Sequence, residues 1–143
     1  YVGAHTYDCA GLFGFVCQTI NPRWHHLFRT TWQTPWNVAA SATWRFIGSV
    51  AQDNNTNDPT LHFSSPNGVY DDFNAKVSSF SYLDLEATWN VNKVLQIRAG
   101  ANNVLDKDPP IIDNNIVGGG QANTYSTYDL FGRQLFVAFT AKF

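Results

Sequence analysis

The stretch that decides the fold is the last in the chain, Gln134-Leu135-Phe136-Val137-Ala138-Phe139-Thr140-Ala141-Lys142-Phe143. From Leu135 onward every second residue is apolar, and the positions between them include Thr140 and Lys142. A period of two is that of a β-strand, whose successive side chains point to opposite faces, and a helix would not sort these residues in this way. The sequence therefore predicts a terminal strand with one apolar face.

The same alternation occurs in earlier stretches of about ten residues each. In one of them Leu83 and Leu85 share a face, and Asp84 and Glu86 share the other. The first stretch is less regular, because Leu27 lies on its polar side. Together with the terminal stretch, five strands are predicted, and the four earlier ones cover 24–33, 38–46, 81–91 and 95–102.

The connections between these strands come in two sizes. The segments 34–37 and 90–93 are short and carry the Asn and Pro chemistry of tight turns. The segments 1–23, 51–78 and 104–128 are long and rich in Asn, Asp, Gly, Pro and Ser. Outer-membrane barrels alternate short periplasmic turns with long extracellular loops. The sequence therefore predicts an all-β, antiparallel transmembrane β-barrel with residue 143 on the periplasmic side.

Composition points the same way. Charged residues make up 14% of the chain, and aromatic residues 15%, whereas typical soluble domains carry about 25% charged residues. Trp32, Trp36 and Trp89 cluster near the two short turns, where an aromatic girdle would lie. The alternative is that these are core aromatics of a soluble β-sandwich.

Several functional classes find no support. The net charge is −2 and no cluster of Lys and Arg occurs, so no nucleic-acid partner is predicted. The His and Ser residues form no nucleophile motif, and no Gly-rich phosphate loop follows a strand. We predict no enzyme activity, no catalytic residues, no cofactor and no metal site.

Cys9 and Cys17 are the two cysteines of the chain. A disulfide closing this short loop would contribute roughly 2–3 kcal/mol by the chain-entropy estimate, and it requires an oxidising compartment such as the periplasm or cell surface. The alternative is a pair of free buried thiols.

Two sequence blocks near the end carry a family resemblance. The first runs from Gly100 through Asn103-Val104-Leu105-Asp106-Lys107-Asp108-Pro109, and the second is Tyr128-Asp129-Leu130-Phe131-Gly132-Arg133, followed by the terminal Phe143. These blocks, in this order, resemble the C-terminal end of TonB-dependent outer-membrane receptors. The segments around Asn21-Pro22-Arg23-Trp24 and Trp32-Gln33-Thr34-Pro35-Trp36 are also similar to family members.

The resemblance implies that residues 1–143 are the C-terminal part of such a receptor, the last five strands of a 22-stranded barrel in the bacterial outer membrane. The chain has no Met and opens with Tyr1-Val2-Gly3, as expected of a piece that lacks the plug domain and the earlier strands. The whole protein would import a scarce nutrient, a carbohydrate or a metal chelate. The implied partners are outer-membrane lipid, the protein's own plug, TonB through that plug, the barrel-assembly machinery and the imported small molecule.

Charged residues on the polar faces form the first candidate site. A hairpin centred near Asn92 places Glu86 opposite Arg98, and Arg45 can reach Asp84 or Glu86. Opposite charges facing each other across strands contribute roughly 0.2–1 kcal/mol. We predict a lumenal charge ladder of Arg45, Asp84, Glu86 and Arg98, which either docks a movable plug or merely satisfies enclosed charges.

Three further expectations concern the terminus and the loops. The alternating residues of the last strand resemble the signal that barrel-assembly machinery recognises, and they are Leu135, Val137, Phe139, Ala141 and Phe143.

The segment beginning at Asp53 starts like a calcium loop but departs from the pattern at Asp58 and Ser64, so we interpret it as an exposed polar loop. Loop residues with chemistry suited to substrate contact are His62, Tyr70, Asp71, Asp72, Asn114, Asn115 and Tyr125. Aromatic side chains together with Asn and Asp suit sugars, by stacking and hydrogen bonding, and the scarcity of Lys and Arg in the loops argues against an anionic ferric chelate.

Two rival functions remain at this stage. A passive outer-membrane barrel, such as a porin or an adhesin, would share the strand pattern but lack a plug and a TonB box upstream. A soluble sugar-binding β-sandwich would share the alternation but would not need detergent for extraction.

Overall fold

The computed structural model describes residues 6–62, 75–113, 116 and 124–142. The chain divides into two compact units. The loop unit comprises Tyr1–His25, Ile47–Phe80 and Pro109–Leu130, and the sheet unit comprises His26–Phe46, Ser81–Asp108 and Phe131–Phe143. Among the described residues, no helix has the length and apolar character needed to cross a membrane.

The described residues contain eight strands and two short 3-10 helices. In chain order the strands are β1 (Leu12–Phe13), β2 (His25–Gln33), β3 (Val38–Ile47), β4 (Val50–Gln52), β5 (Lys76–Val77), β6 (Phe80–Asn90), β7 (Leu95–Asn102) and β8 (Gln134–Ala141). The 3-10 helices are η1 (Asp53–Asn55) and η2 (Pro59–Leu61).

The five long strands form one antiparallel sheet in the order β2-β3-β6-β7-β8. Each long strand therefore neighbours the next long strand along the chain. The expectation of five antiparallel strands is confirmed, and each strand begins and ends within two residues of the predicted stretch. The match is close because the side-chain alternation that builds a two-faced sheet is itself the sequence signal.

Both short turns close as the sequence predicts, but the second has a different centre. In the first, the Thr34 amide donates to the Val38 carbonyl at 2.8 Å. In the second, the Asn92 side-chain oxygen accepts from the amides of Val94 and Leu95, each at 2.8 Å. The strand register centres this turn on Lys93 rather than Asn92, so the prediction that Glu86 lies directly opposite Arg98 is wrong.

The actual register places Glu86 opposite Gly100 and Thr88 opposite Arg98. The observed register differs from the predicted one by two residues. Because side chains alternate with a period of two, every side chain stays on its predicted face. Glu86 and Arg98 are thus diagonal neighbours on one face rather than direct partners.

The first resemblance block is built around two unusual backbone positions. Gly100 lies opposite Phe136, and a Cβ atom there would lie 2.5 Å from the Phe136 ring and 2.7 Å from the Leu85 carbonyl oxygen. Asn103 has a φ of 52°, and its side chain bonds the Lys107 amide and carbonyl at 3.0 and 2.8 Å. Asn103 therefore fixes the path by which the chain leaves β7.

The two resemblance blocks meet in space although they are distant in sequence. The Arg133 amide donates to the Asp106 carboxylate at 2.7 Å. A Cβ atom on Gly132 would lie 2.6 Å from the same carboxylate oxygen. Asp106 of the first block therefore contacts Gly132 and Arg133 of the second block, and this contact joins the two ends of the β7–β8 connection.

The loop unit contains structure where the sequence predicts only loops. A three-stranded sheet has the order β1-β4-β5, with β1 parallel to β4 and β4 antiparallel to β5. Its strands have two or three residues each, too few to display an alternation. Buried Phe13, Val50 and Val77 belong to the core of this unit.

The disulfide between Cys9 and Cys17 is present. The loop that it closes is held by Asp53, whose carboxylate accepts from the amides of Val16 and Cys17 at 2.8 and 2.9 Å. Asp53 is fully buried, so its interpretation as part of an exposed polar loop is wrong. Polar composition suggested exposure, but the carboxylate replaces water with two backbone donors from a segment 36 and 37 residues away.

Candidate functional site

The sheet has two chemically different faces. Phe139 and Val137 are 70% and 62% exposed, and they share a face with Ile97 and Ala99, their partners on β7. Leu85 and Trp89 continue this face on β6 and are also exposed. A face built from large exposed apolar side chains is unusual for a protein surface in water. The opposite face carries the charged side chains of the strands.

The Arg45–Asp84 pair is the tightest contact on the polar face. Arg45 Nε and Nη2 donate to the two oxygens of the Asp84 carboxylate at 2.7 and 3.0 Å. Asp84 Oδ1 also accepts from the Asn103 amide at 2.9 Å. The Arg45 guanidinium lies 4.9 Å from the centre of the Tyr82 ring, which supports it from the side. Both charges are half-buried.

Glu86 is the centre of a second cluster. Arg98 Nη2 donates to Glu86 Oε2 at 2.8 Å, and Arg29 Nη2 lies 3.9 Å from Glu86 Oε1. The Arg98 guanidinium also lies 5.5 Å from the centre of the Phe136 ring. The structure thus brings the four residues of the predicted ladder into two pairs, and adds Arg29 to one of them.

Aromatic side chains mark both ends of the apolar face. Trp32, Trp36 and Trp89 are exposed at or beside the short turns. At the other end of β2 and β3, the His26 ring stacks on Phe46 at 5.2 Å and meets Trp44 edge-on at 4.8 Å. Between these two aromatic zones the apolar face of β3 carries only the small residues Ala40 and Ala42.

Two of the loop residues predicted to contact substrate lie in the described part of the chain, and both make internal contacts. His62 Nε2 lies 2.7 Å from the Thr56 carbonyl oxygen. Tyr125 is buried and its ring meets Phe13 edge-on. Burial, together with the negative charge of Asp53, raises the pKa of Tyr125 to about 12. The other residues of this set, Tyr70, Asp71, Asp72, Asn114 and Asn115, lie outside the described residues, as does Phe143.

Sequence reasoning missed three residues of the polar face. Arg29 lies on the polar side of the first predicted stretch. The irregular alternation of that stretch gives no signal that Arg29 contacts Glu86 on β6. Phe136 is an apolar residue on a polar face. Its ring packs over Gly100 on the neighbouring strand, where the absence of a Cβ atom leaves room for it. Asn103 lies just after the end of β7. The hydrogen bond that its backbone amide donates to Asp84 depends on the geometry of the turn.

Solved structures provide a fold for comparison, whereas scans of protein-family models and curated proteins found no match. The chain is similar to a ferric enterobactin receptor (PfeA) variant from Pseudomonas aeruginosa, with 22% identity and a TM-score of 0.57 over 82% of this chain and 16% of that one. It is also similar to the receptor in complex with BCV-L6, with 23% identity and a TM-score of 0.58 over 80% of this chain and 16% of the other. A further variant, in complex with enterobactin, has a TM-score of 0.55 at 22% identity over 80% of this chain and 16% of that one.

These likenesses establish the fold of the chain. Its strands are arranged as in part of these ferric enterobactin receptors. The chain spans only 16% of the length of each of these receptors.

Proposed function

We propose that this chain, whose fold is that of part of a TonB-dependent receptor barrel, belongs to an active transporter of the bacterial outer membrane. The observation that carries the proposal is the two-faced sheet, with exposed apolar side chains on one face and paired charges on the other. Lipid-facing and interior-facing residues alternate in this way in transmembrane barrels.

Strand length supports a transmembrane position. Strand β3 has 10 residues, which corresponds to about 33 Å at a rise of about 3.3 Å per residue. A tilt of about 45° reduces its height to roughly 23 Å, close to the ~25 Å apolar band of such barrels. The aromatic zones at the two ends of the apolar face match the aromatic girdles that flank this band. The short turns would then face the periplasm.

The unpaired edges of the sheet require further strands. Within the described residues, β2 and β8 each have a single neighbour in the sheet, and an open edge in lipid leaves backbone groups without hydrogen bonds. We therefore propose that residues 1–143 are part of a larger closed barrel with further strands in the rest of the protein. The sequence resemblance makes them its C-terminal part and adds a plug domain. TonB would act through that plug, and the barrel-assembly machinery would insert the whole.

The cargo is a scarce nutrient, and we place a metal chelate ahead of a carbohydrate. The similar structures are named as ferric enterobactin receptors, which supports a chelate. The case for a sugar rests on aromatic and Asn or Asp residues in the loops, and two residues of that set, His62 and Tyr125, make internal contacts. We propose no enzymatic activity.

Uptake by cells that carry the full-length protein tests this function. Binding and uptake of ferric enterobactin and of a neutral oligosaccharide are measured with and without an uncoupler, and in cells with and without TonB. Energised, TonB-dependent uptake of either cargo supports the proposal and identifies its class. Uptake that continues undiminished with the uncoupler and without TonB identifies a passive barrel instead. Recovery of the protein in the soluble fraction without detergent would identify a soluble sandwich.

A further inference from the structure

The Glu86 cluster has more positive than negative charge. In the described part of the chain, Glu86 is the carboxylate that contacts both Arg29 and Arg98, and the Arg29 contact is long, at 3.9 Å. Arg29 makes its other described contact with the Ser41 hydroxyl at 3.4 Å, which is also long. The two arginine side chains are 55% and 54% exposed. Both arginine side chains are therefore accessible to a further partner.

A count within the long strands gives the same sign. The long strands β2, β3, β6, β7 and β8 carry Arg29, Arg45 and Arg98 against Asp84 and Glu86, which leaves one excess positive charge with His neutral. Arg45 and Asp84 neutralise each other in a bidentate pair. The excess charge therefore lies on the Arg29–Glu86–Arg98 cluster.

An excess charge on an enclosed surface requires a counter-charge. In the proposed transporter this face lines the barrel interior, which the plug domain fills, and a charge removed from water without a partner is costly. An arginine guanidinium presents a planar fork of donors that matches a carboxylate. The Arg98 guanidinium lies over the Phe136 ring, 5.5 Å from its centre, and this contact favours one position of the fork.

We propose that Arg29 and Arg98 form a docking site for an Asp or Glu carboxylate of the plug domain. The inference rests on the proposed function and adds two things to it: the charge of the docked group and the place where it docks. The arginines attract the acidic group, and Glu86 repels it. Glu86 therefore weakens the site, which keeps the contact reversible.

Hydrogen exchange of the plug's backbone amides in the full-length protein, without cargo, tests the site. The double variant Arg29→Gln/Arg98→Gln should exchange about tenfold faster in the docked part of the plug, the effect expected on losing one charge-assisted hydrogen bond. The turn variant Lys93→Gln loses a positive charge away from the polar face and should exchange as the wild type does. The variant Glu86→Gln should exchange as slowly as the wild type or more slowly, because it removes a charge that repels the carboxylate.

The outcomes separate this site from its rivals. Faster exchange in Glu86→Gln would mean that Glu86 itself docks a cation, and it overturns the inference. Unchanged plug exchange in the arginine variant also overturns the inference. If the affinity for cargo falls in that variant while plug exchange is unchanged, the arginines bind an anionic cargo instead. Electrophoretic mobility before and after heating reports barrel assembly independently. A wild type that shows no assembled barrel overturns the proposed function as well.

Discussion

Asp84 joins its own strand to the strands on either side of it. It accepts two hydrogen bonds from Arg45 on β3 and one from the amide of Asn103, just beyond the end of β7. Its own strand, β6, lies between those two. One carboxylate thus joins three neighbouring strands, and its loss would leave a half-buried guanidinium without its main partner.

The variant Asp84→Asn should lower the free energy of unfolding by about 1–3 kcal/mol, because a hydrogen-bonded charge pair is broken on one side. The urea midpoint of the full-length protein in lipid measures this loss. Asp108→Asn is a matched control, because Asp108 is exposed and exposed charges contribute little. Equal midpoints for the two variants would contradict the role given to Asp84.

Tyr125 should make the loop unit sensitive to alkali. Burial favours its neutral phenol and raises its pKa to about 12, whereas an unfolded tyrosine titrates near 10. The stabilisation is therefore complete below about pH 10 and is lost as the pH rises towards about 12. A difference titration of phenolate absorbance, wild type minus Tyr125→Phe, should show one tyrosine that ionises late. A difference curve centred near pH 10 would contradict the burial.

At the scale of elements, the β7–β8 pair depends on a glycine. Phe136 packs over Gly100, and the Arg98 guanidinium lies against the same ring. A small residue on one strand thus accepts a large one from the next, on a face that is otherwise polar. Cross-strand pairs of this kind set the register of a sheet.

The variant Gly100→Ala should destabilise the assembled barrel by about 1–3 kcal/mol, as expected when a methyl group is forced into a packed contact. The clash includes the Leu85 backbone carbonyl, so moving the Phe136 ring alone cannot relieve it. Ala101→Gly removes a methyl group from the apolar face of the same strand and should cost only about 0.5–1 kcal/mol. Urea midpoints of both variants give the comparison, and a larger loss for Ala101→Gly would contradict the packing argument.

At the scale of the whole molecule, the terminal strand has an expected second role in assembly. Leu135, Val137 and Phe139 form an exposed apolar row on β8, which is an edge strand of the described sheet. An edge strand has backbone groups available for pairing. This row and Phe143, which lies outside the described residues, make up the assembly signal that the sequence predicts.

Deletion of Phe143 from the full-length protein should lower the amount of barrel assembled in the outer membrane. Quantification of the heat-modifiable band in membrane fractions measures this amount. Substitution of the exposed turn residue Lys93 by Gln is the control, because it alters neither the end of the chain nor its apolar row. Unchanged assembly after the deletion would contradict the proposed signal.

The sequence by itself determined the long strands, their faces and their order. The strands and their faces follow from alternation, which is a local property read residue by residue. Short turns force β2 to pair with β3 and β6 with β7, and the barrel pattern of alternating short turns and long loops places the other neighbours. Residues of the charge ladder could be assigned to one face for the same reason. The short strands β1, β4 and β5 escaped detection because two or three residues show no period.

Only the tertiary structure decided which residues meet. The turn after β6 centres on Lys93 rather than Asn92, and the register differs by two residues from the predicted one, so Glu86 lies diagonally across from Arg98. Arg29 reaches Glu86 across β3, and Asp53 becomes a buried anchor for the disulfide loop. Such contacts join residues 12 to 57 positions apart, and their geometry depends on how the chain closes, which no local pattern encodes.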